Sequence, residues 1–559
     1  MAADRPRTLA RGALFLLLAA VPAPALAQVV LPTPVEPRAP ARPLNVPEAE
    51  LELSIPAQPR APDRRAVDEL SFRVERIVVE GATIYSEANL AAFTAPLIGR
   101  TVGLSAIAAA AEAIENRYRA DGYVLSRAFV PPQRVGDGTF RIQVVEGYLA
   151  EIVFEGGSEP ARDRIRAYLR RAFEGRPANV AAIERGLLLA GDLAGVSAAG
   201  TLAPGSEPGS SNLAVRIVER PMQVSVSTTN RASKFQGPVT VTGEVAYNGI
   251  LGLNEQIAVG GTTVPSPLNS KELRQGTLRY SQPVGDDGLT AGFDSSYSRG
   301  WPGRTLRALQ VRTSSLRFGP RVSYPILRSR RENLLVDGSA YFARTETVVR
   351  GDPLTEDRYT ALDARATYSH VGFMQGATVV SAGVTRGLTA WGNANSGDLP
   401  RSRSEAQTSF TKFTGEIRRI QLLGAGFTAQ WTLAGQASGN KLYAGEEFSL
   451  GGSRFGRGYE PSEVTGIGGA GSSFELRYGD AAADGWQPYA FHDIGFASRA
   501  RTGGAERAQS LASAGLGARF APTEWLTAAL EVARPLTRAG SLDERERPWK
   551  VFFDLSARF

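Results

Sequence analysis

Beyond Arg220 the chain loses every trace of helical spacing and alternates apolar with polar residues, segment after segment, to its last residue. Successive side chains of a β-strand point to opposite faces, so each such segment has one greasy side and one wet side. The C-terminal run shows this most clearly. Trp549, Val551, Phe553, Leu555, Ala557 and Phe559 share one face, Lys550, Asp554, Ser556 and Arg558 share the other, and only Phe552 breaks the pattern. Leu289–Tyr297 and Ala512–Phe520 repeat it. Strands of about ten residues patterned this way are the units that close a membrane-spanning barrel. Residues 221–559 number 339, which at ~21 residues per strand and connection predicts about 16 strands. Tight clusters such as Gly285–Gly288 alternate with polar stretches at Gly351–Arg358 and Ala394–Ser404, so one rim of short turns and one of long loops is expected.

The opposite end has a different character. Arg5, Arg7 and Arg11 precede a short apolar run, Gly12–Ala20, and Ala25-Leu26-Ala27 has the small-residue pattern of a cleavage site, so residues 1–27 read as an export signal. That run is too short to cross a bilayer as a helix, and no later stretch is long and apolar enough to do so. Residues 28–70 carry a proline every few positions, which predicts an extended linker. Two similar modules follow, at 71–148 and 149–220. The first reads as a strand at Phe72–Glu80, a helix whose buried face holds Leu104, Ile107, Ala108, Ala111, Ile114 and Tyr118, and strands at Tyr123–Val130 and Thr139–Glu146. The second has a strand at Leu149–Phe154, helices at Ala161–Phe173 and Asn179–Leu189, and strands at Ser197–Leu202 and Asn212–Glu219. Both fit the order strand, helix, helix, strand, strand, which suggests one job done twice.

Composition excludes several functions. There is no cysteine, hence no disulfide and no thiolate metal site. The net charge of +7 is spread along the chain and not gathered into a stripe, which argues against nucleic acid as a partner. The only histidines are His370 and His492, no serine and acid stand at hydrolase spacing from either, and no phosphate-binding loop appears, so neither catalysis nor a cofactor is expected. His492 adjoins Asp493, but adjacent residues of a strand face apart.

The most distinctive passages are the glycine-rich Leu450–Pro461 and, further on, Phe491-His-Asp-Ile-Gly495. On these motifs, together with the leader, the paired modules and the barrel-like half, the chain resembles the outer-membrane translocators of two-partner secretion. These form the TpsB family of the Omp85 superfamily. The resemblance implies two α+β POTRA modules in the periplasm, followed by a transmembrane antiparallel β-barrel of about 16 strands in a Gram-negative outer membrane. It also implies a long loop, around 445–470, folded back into the lumen with a (V/I/F)RG(Y/F) signature at its tip. That signature falls on Arg457, Gly458 and Tyr459, although Gly456 replaces the usual apolar residue ahead of the arginine. The family's Phe-x-Asp-x-Gly strand motif falls on Phe491, Asp493 and Gly495, with Asp493 as the implied acceptor for Arg457. In a wet lumen such a pair would contribute only about 1 kcal/mol and act as a weak latch. Phe559 takes the place of the terminal aromatic that serves relatives as an assembly signal.

The partners implied are a secreted TpsA-type exoprotein of adhesin or haemolysin kind, outer-membrane lipid, and the barrel-assembly machinery during biogenesis. The exoprotein would add a strand to an exposed POTRA edge and then thread through the barrel in extended form. Some relatives begin with a plugging helix; the prolines argue against a long one before Asp63. The rivals are a barrel-assembly insertase of the same superfamily, which usually carries more POTRA modules, a passive pore, which would have no use for the modules, and a TonB-dependent receptor, which would need a large plug domain.

Overall fold

The computed structural model describes residues 71–265, 271–389, 399–501, 504–537 and 547–559. The expected signal peptide and proline-rich linker lie outside the described residues, as does part of the Ala394–Ser404 stretch.

The first module contains β1 (Ser71–Arg73), β2 (Arg76–Glu80), α1 (Glu87–Thr94), β3 (Thr101–Gly103), α2 (Leu104–Ala120), β4 (Arg127–Phe129) and β5 (Thr139–Val145). Its main sheet has the order β2-β5-β4, with β2 and β5 parallel. The sequence suggests a single strand over Phe72–Glu80, but the chain changes partners at Val74. There its N–H and C=O turn to Arg100 and Gly99, so β1 pairs with β3 while β2 pairs with β5. The expected strand at Tyr123–Val130 shrinks to β4, because Tyr123 and Ser126 close a turn. The apolar face of α2, with Ile107, Ala111, Ile114 and Tyr118, is buried on the sheet.

The second module repeats the plan with β6 (Tyr148–Gly156), α3 (Glu159–Glu174), α4 (Val180–Gly191), β7 (Val196–Pro204) and β8 (Ser210–Glu219). Its sheet order, β6-β8-β7 with β6 and β8 parallel, matches the first. Ile165, Leu169, Ile183, Leu187, Leu213 and Val215 form its core. This module docks beneath the other half of the chain through charge. Arg328 grips Asp192 with two hydrogen bonds of 2.7 and 2.8 Å. Arg185 donates to the Pro325 carbonyl at 3.0 Å and to the Asp287 carboxylate at 3.3 Å.

The remainder is a closed antiparallel barrel of sixteen strands. Its first half comprises β9 (Met222–Thr229), β10 (Thr240–Asn248), β11 (Gln256–Thr263), β12 (Arg274–Val284), β13 (Leu289–Gly300), β14 (Arg312–Arg328), β15 (Glu332–Val349) and β16 (Asp352–Val371). β17 (Gly376–Leu388), β18 (Thr411–Gly424) and β19 (Phe427–Ser438) follow, and then a long loop with its own small hairpin, β20 (Phe448–Leu450) and β21 (Val464–Gly466). The wall resumes with β22 (Gly468–Tyr478), β23 (Trp486–Arg501), β24 (Gly504–Thr523), β25 (Leu526–Pro535) and β26 (Lys550–Arg558), which closes on β9.

The alternation sorts as the pattern requires. Val551, Phe553 and Leu555 face outward and exposed, as do Phe293, Tyr297, Leu516 and Phe520. Without lipid on that side, so much exposed apolar wall would be an aggregation surface. Phe552, the break in the pattern, points inward and packs beside Tyr489, Phe491 and Ala533. One expectation fails. Gly351–Arg358 is no loop: the turn is Arg350–Gly351, and Asp352 already pairs with Val349 at the foot of the longest hairpin ladder. The polar residues there pair within the ladder, and Asp357 is buried under the following loop, accepting the Ser402 N–H at 2.8 Å.

Candidate functional site at the tip of the inward loop

The loop between β19 and β22 turns back into the lumen and is fixed at two places. At its base, Tyr443 stacks on Tyr359 with ring centroids 4.4 Å apart and planes 7° from parallel. Phe410, Leu442 and Tyr341 complete that cluster. Inside it Glu446, 2% exposed, accepts hydrogen bonds from the Tyr341 and Tyr359 hydroxyls, both at 2.8 Å, and pairs with Lys412. Arg403 clasps the neighbouring Glu447 through two bonds of 2.9 Å.

The tip is held by charge. Arg457 meets Asp493 as a fork, Nε to Oδ2 and Nη2 to Oδ1, each at 3.0 Å. Its Nη1 donates to Glu475 at 2.7 Å and to Glu531 at 3.2 Å, and Nη2 also reaches the Ser473 hydroxyl at 3.1 Å. Its guanidinium lies 3.5 Å from the centre of the Phe491 ring. Asp493 further accepts the backbone N–H groups of Gly456 and Arg457 at 3.2 and 3.1 Å. The wall strands position these partners by alternation: Phe491, Asp493 and Gly495 all face inward from β23, while His492 faces out.

Each motif glycine has a geometric reason. Gly456 adopts φ +89°, and a side chain there would strike Leu511. This departure from the usual apolar residue lets two consecutive N–H groups turn toward one carboxylate. At Gly458 an added Cβ would stand 2.8 Å from the Pro535 nitrogen, and at Gly495 it would stand 2.6 Å from Leu450 of the loop. Tyr459 is buried and donates its hydroxyl to the Ala512 carbonyl at 3.2 Å. Phe559 lies apart, exposed at the turn rim, stacked on Trp525 with centroids 5.6 Å apart.

The picture of a wet, screened latch needs correction. Arg457 is 6% exposed, Asp493 0%, Glu475 7% and Glu531 1%. Four arginines, Arg231, Arg457, Arg477 and Arg519, interleave with four carboxylates, Asp493, Glu475, Glu531 and Asp554, so the cluster is neutral only while the loop supplies its arginine. Removing one partner from a buried arrangement of this kind costs about 3–5 kcal/mol. The tip is held strongly.

Residues 209–520, more than half the chain, match the family model described as haemolysin secretion/activation protein ShlB/FhaC/HecB. The chain belongs to that family. Residues 72–147 match the ShlB-type POTRA domain. The outer membrane transporter CdiB of Escherichia coli O6:K15:H31 (strain 536 / UPEC) is 26% identical over 410 residues, covering 71% of this chain and 67% of the relative. The hemolysin transporter protein HpmB of Proteus mirabilis is 24% identical, with 70% of each chain covered. Among solved structures, CdiB from Escherichia coli superimposes with a TM-score of 0.72 at 21% identity over 91% of this chain and 94% of that one. CdiB from Acinetobacter baumannii does so with a TM-score of 0.61 at 18% identity over 91% and 95%. The protein is therefore an outer-membrane transporter of the two-partner secretion family, with its POTRA region in the periplasm.

Membership explains why the tip motif and its acceptor Asp493 could be found in the sequence and the two further carboxylates could not. Glu475 and Glu531 are solitary carboxylates in alternating strands, with nothing in their neighbours to set them apart from other lumen-facing acids. Only closure of the barrel brings β22 and β25 to the same arginine. The base anchor at Glu446 was missed for the same reason, since its tyrosines come from β15 and β16.

Proposed function

We propose that the protein exports a partner exoprotein of adhesin or haemolysin type, which the POTRA modules recognise and the barrel conducts in extended form after the inward loop yields. The observation carrying this reading is the neutral buried cluster at Arg457. A loop needed only to stopper a pore could be held by packing alone. Here the tip is instead held by charges that water and a passing polar backbone can replace. The second module standing at the turn rim, where a periplasmic client arrives, supports the recognition step. Family membership favours export over barrel insertion.

The test is export of the exoprotein encoded with this chain, followed in the medium and at the cell surface. Removing residues 72–147 should abolish export while the barrel still conducts ions in planar bilayers. Full export by the shortened protein would overturn the recognition step.

A further inference from the structure

The seam where the barrel closes is weaker than any other joint in the wall, and the inward loop lies directly across it. The β26–β9 ladder runs from Asp554–Thr229 to Arg558–Ser225, with Phe559 and Val224 adding an exchange at the turn rim and one longer bond, Asn230 N–H to the Phe553 carbonyl at 3.3 Å, on the opposite side. On the long-loop side of Thr229 the first strand has ended, and side chains take over much of the closure. The Asn230 amide donates to the Val551 carbonyl at 2.9 Å and accepts from the Phe553 N–H at 2.8 Å. Arg231 donates through Nε to Asp554 at 2.7 Å.

The loop reaches this side-chain joint twice. Glu460, just past the tip, accepts the Lys234 N–H at 3.1 Å and pairs with Lys550 at 3.7 Å. Lys234 follows the first barrel strand and Lys550 opens the last, so a single carboxylate of the loop touches both sides of the seam. The second contact runs through Glu531. One of its oxygens takes Arg231 Nη1 at 2.8 Å, and the other takes Arg457 Nη1 at 3.2 Å and the Tyr489 hydroxyl at 2.9 Å. Asp554, Arg231, Glu531, Arg457 and Asp493 thus form one line of alternating charge, from the last strand through the first hairpin to the loop tip.

We propose that the inward loop is a strap across the closing seam, with Glu460 and the Arg457–Glu531–Arg231 line as positioning contacts, so that withdrawal of the loop unlocks the long-loop half of the β9–β26 joint. Its relevance to transport rests on the export reading above; the mechanical coupling itself does not. While the loop is in place, both sides of the seam hold a common anion and Arg231 is steered onto Asp554 by a carboxylate fixed at its other end. Once the loop leaves, Glu460 is gone and Glu531 loses Arg457. The joint above Thr229 is then left to Asn230 and Arg231 alone, and the barrel can widen locally without breaking any full strand ladder.

The chain contains no cysteine, so a cysteine pair can report on the seam unambiguously. Asn230→Cys with Phe553→Cys places thiols across β9 and β26 on the long-loop side, one position beyond the last ladder pair, Thr229 and Asp554. Thr277→Cys with Ser296→Cys does the same across β12 and β13 as a control. Disulfide formation would be followed in the purified full chain in detergent, without cargo. Adding Glu460→Ala or Arg457→Ala should slow or deplete the seam disulfide at least threefold and leave the control pair unchanged. Unchanged seam cross-linking in both, with barrels that still migrate as folded on unheated gels, would overturn the strap. Cargo export by the same variants is read separately. An Arg457→Ala protein with a loosened seam but normal export would sink the loop's role in export and leave the strap standing.

Discussion

The base and the tip of the inward loop are both buried, yet they are built from opposite materials. At the base, stacked and edge-on aromatic rings surround one glutamate that is satisfied by two tyrosines and a lysine. At the tip, one arginine is shared among three carboxylates with a single ring beneath it. Apolar contact is lost whenever water replaces it, so the base resists wetting. Ion pairs exchange for hydration once water can enter, so the tip holds firmly when dry and lets go when wet. On the export reading proposed above, the base serves as the hinge and the tip as the part that travels.

Breaking the tip should have the largest effect. Arg457→Ala leaves Asp493 buried without its cation, and export should fall more than tenfold while heat-modifiability of the barrel on gels stays normal. Export at the unsubstituted level would remove the tip from the mechanism. Arg457→Lys sharpens the point, because an ammonium cannot reproduce the fork to Asp493 or reach both glutamates at once. An intermediate loss of several-fold is expected, read by the same export assay.

At the base the balance reverses. Glu446→Gln keeps a hydrogen-bond acceptor for both tyrosines but sets Lys412 against a neutral amide. Thermal unfolding in detergent should shift down by a few degrees, with export changed less than twofold; a larger export defect here than at Arg457→Lys would invert the assignment of hinge and tip.

The smallest effect should come from a half-buried carboxylate outside the membrane. Burial alone would raise the pKa of Glu146, but hydrogen bonds from the Thr83 hydroxyl, the Tyr118 hydroxyl and the Thr83 and Ile84 N–H groups more than offset it, so the carboxyl sits below its usual range. A depressed folded-state pKa stabilises above the unfolded value, about 4.3, and that contribution disappears as pH falls through the folded value. Hydrogen-exchange protection of residues 72–147 should therefore weaken below about pH 4 in the native protein. In Glu146→Gln the acid limb should be flatter, with export at neutral pH nearly unchanged.

The extent to which this architecture could be read from the sequence follows from the range of the forces involved. Strand alternation is local, so β13, β24 and β26 announce themselves, and roughly 16 strands follow from length alone. Ladder length is not local: Gly351–Arg358 looks like a loop, yet its polar residues pair within a long hairpin ladder. The glycine-rich tip was visible because glycines at a close approach leave a compositional mark. Its partners Glu475 and Glu531, the seam residue Arg231 and the cage around Glu446 left none. Each is an ordinary residue made special by a neighbour far away in the chain, and alternation says only which face it occupies.

The central claim is that the tip must leave its buried site for cargo to pass. Arg454 of the loop and Glu416 of β18 form an ion pair across the lumen, and in this cysteine-free chain Arg454→Cys and Glu416→Cys can be joined by a short, cleavable bifunctional thiol reagent. The account predicts that export drops to background while the bridge is intact and recovers when it is cleaved. Export at the unbridged rate with the bridge demonstrably in place would contradict it.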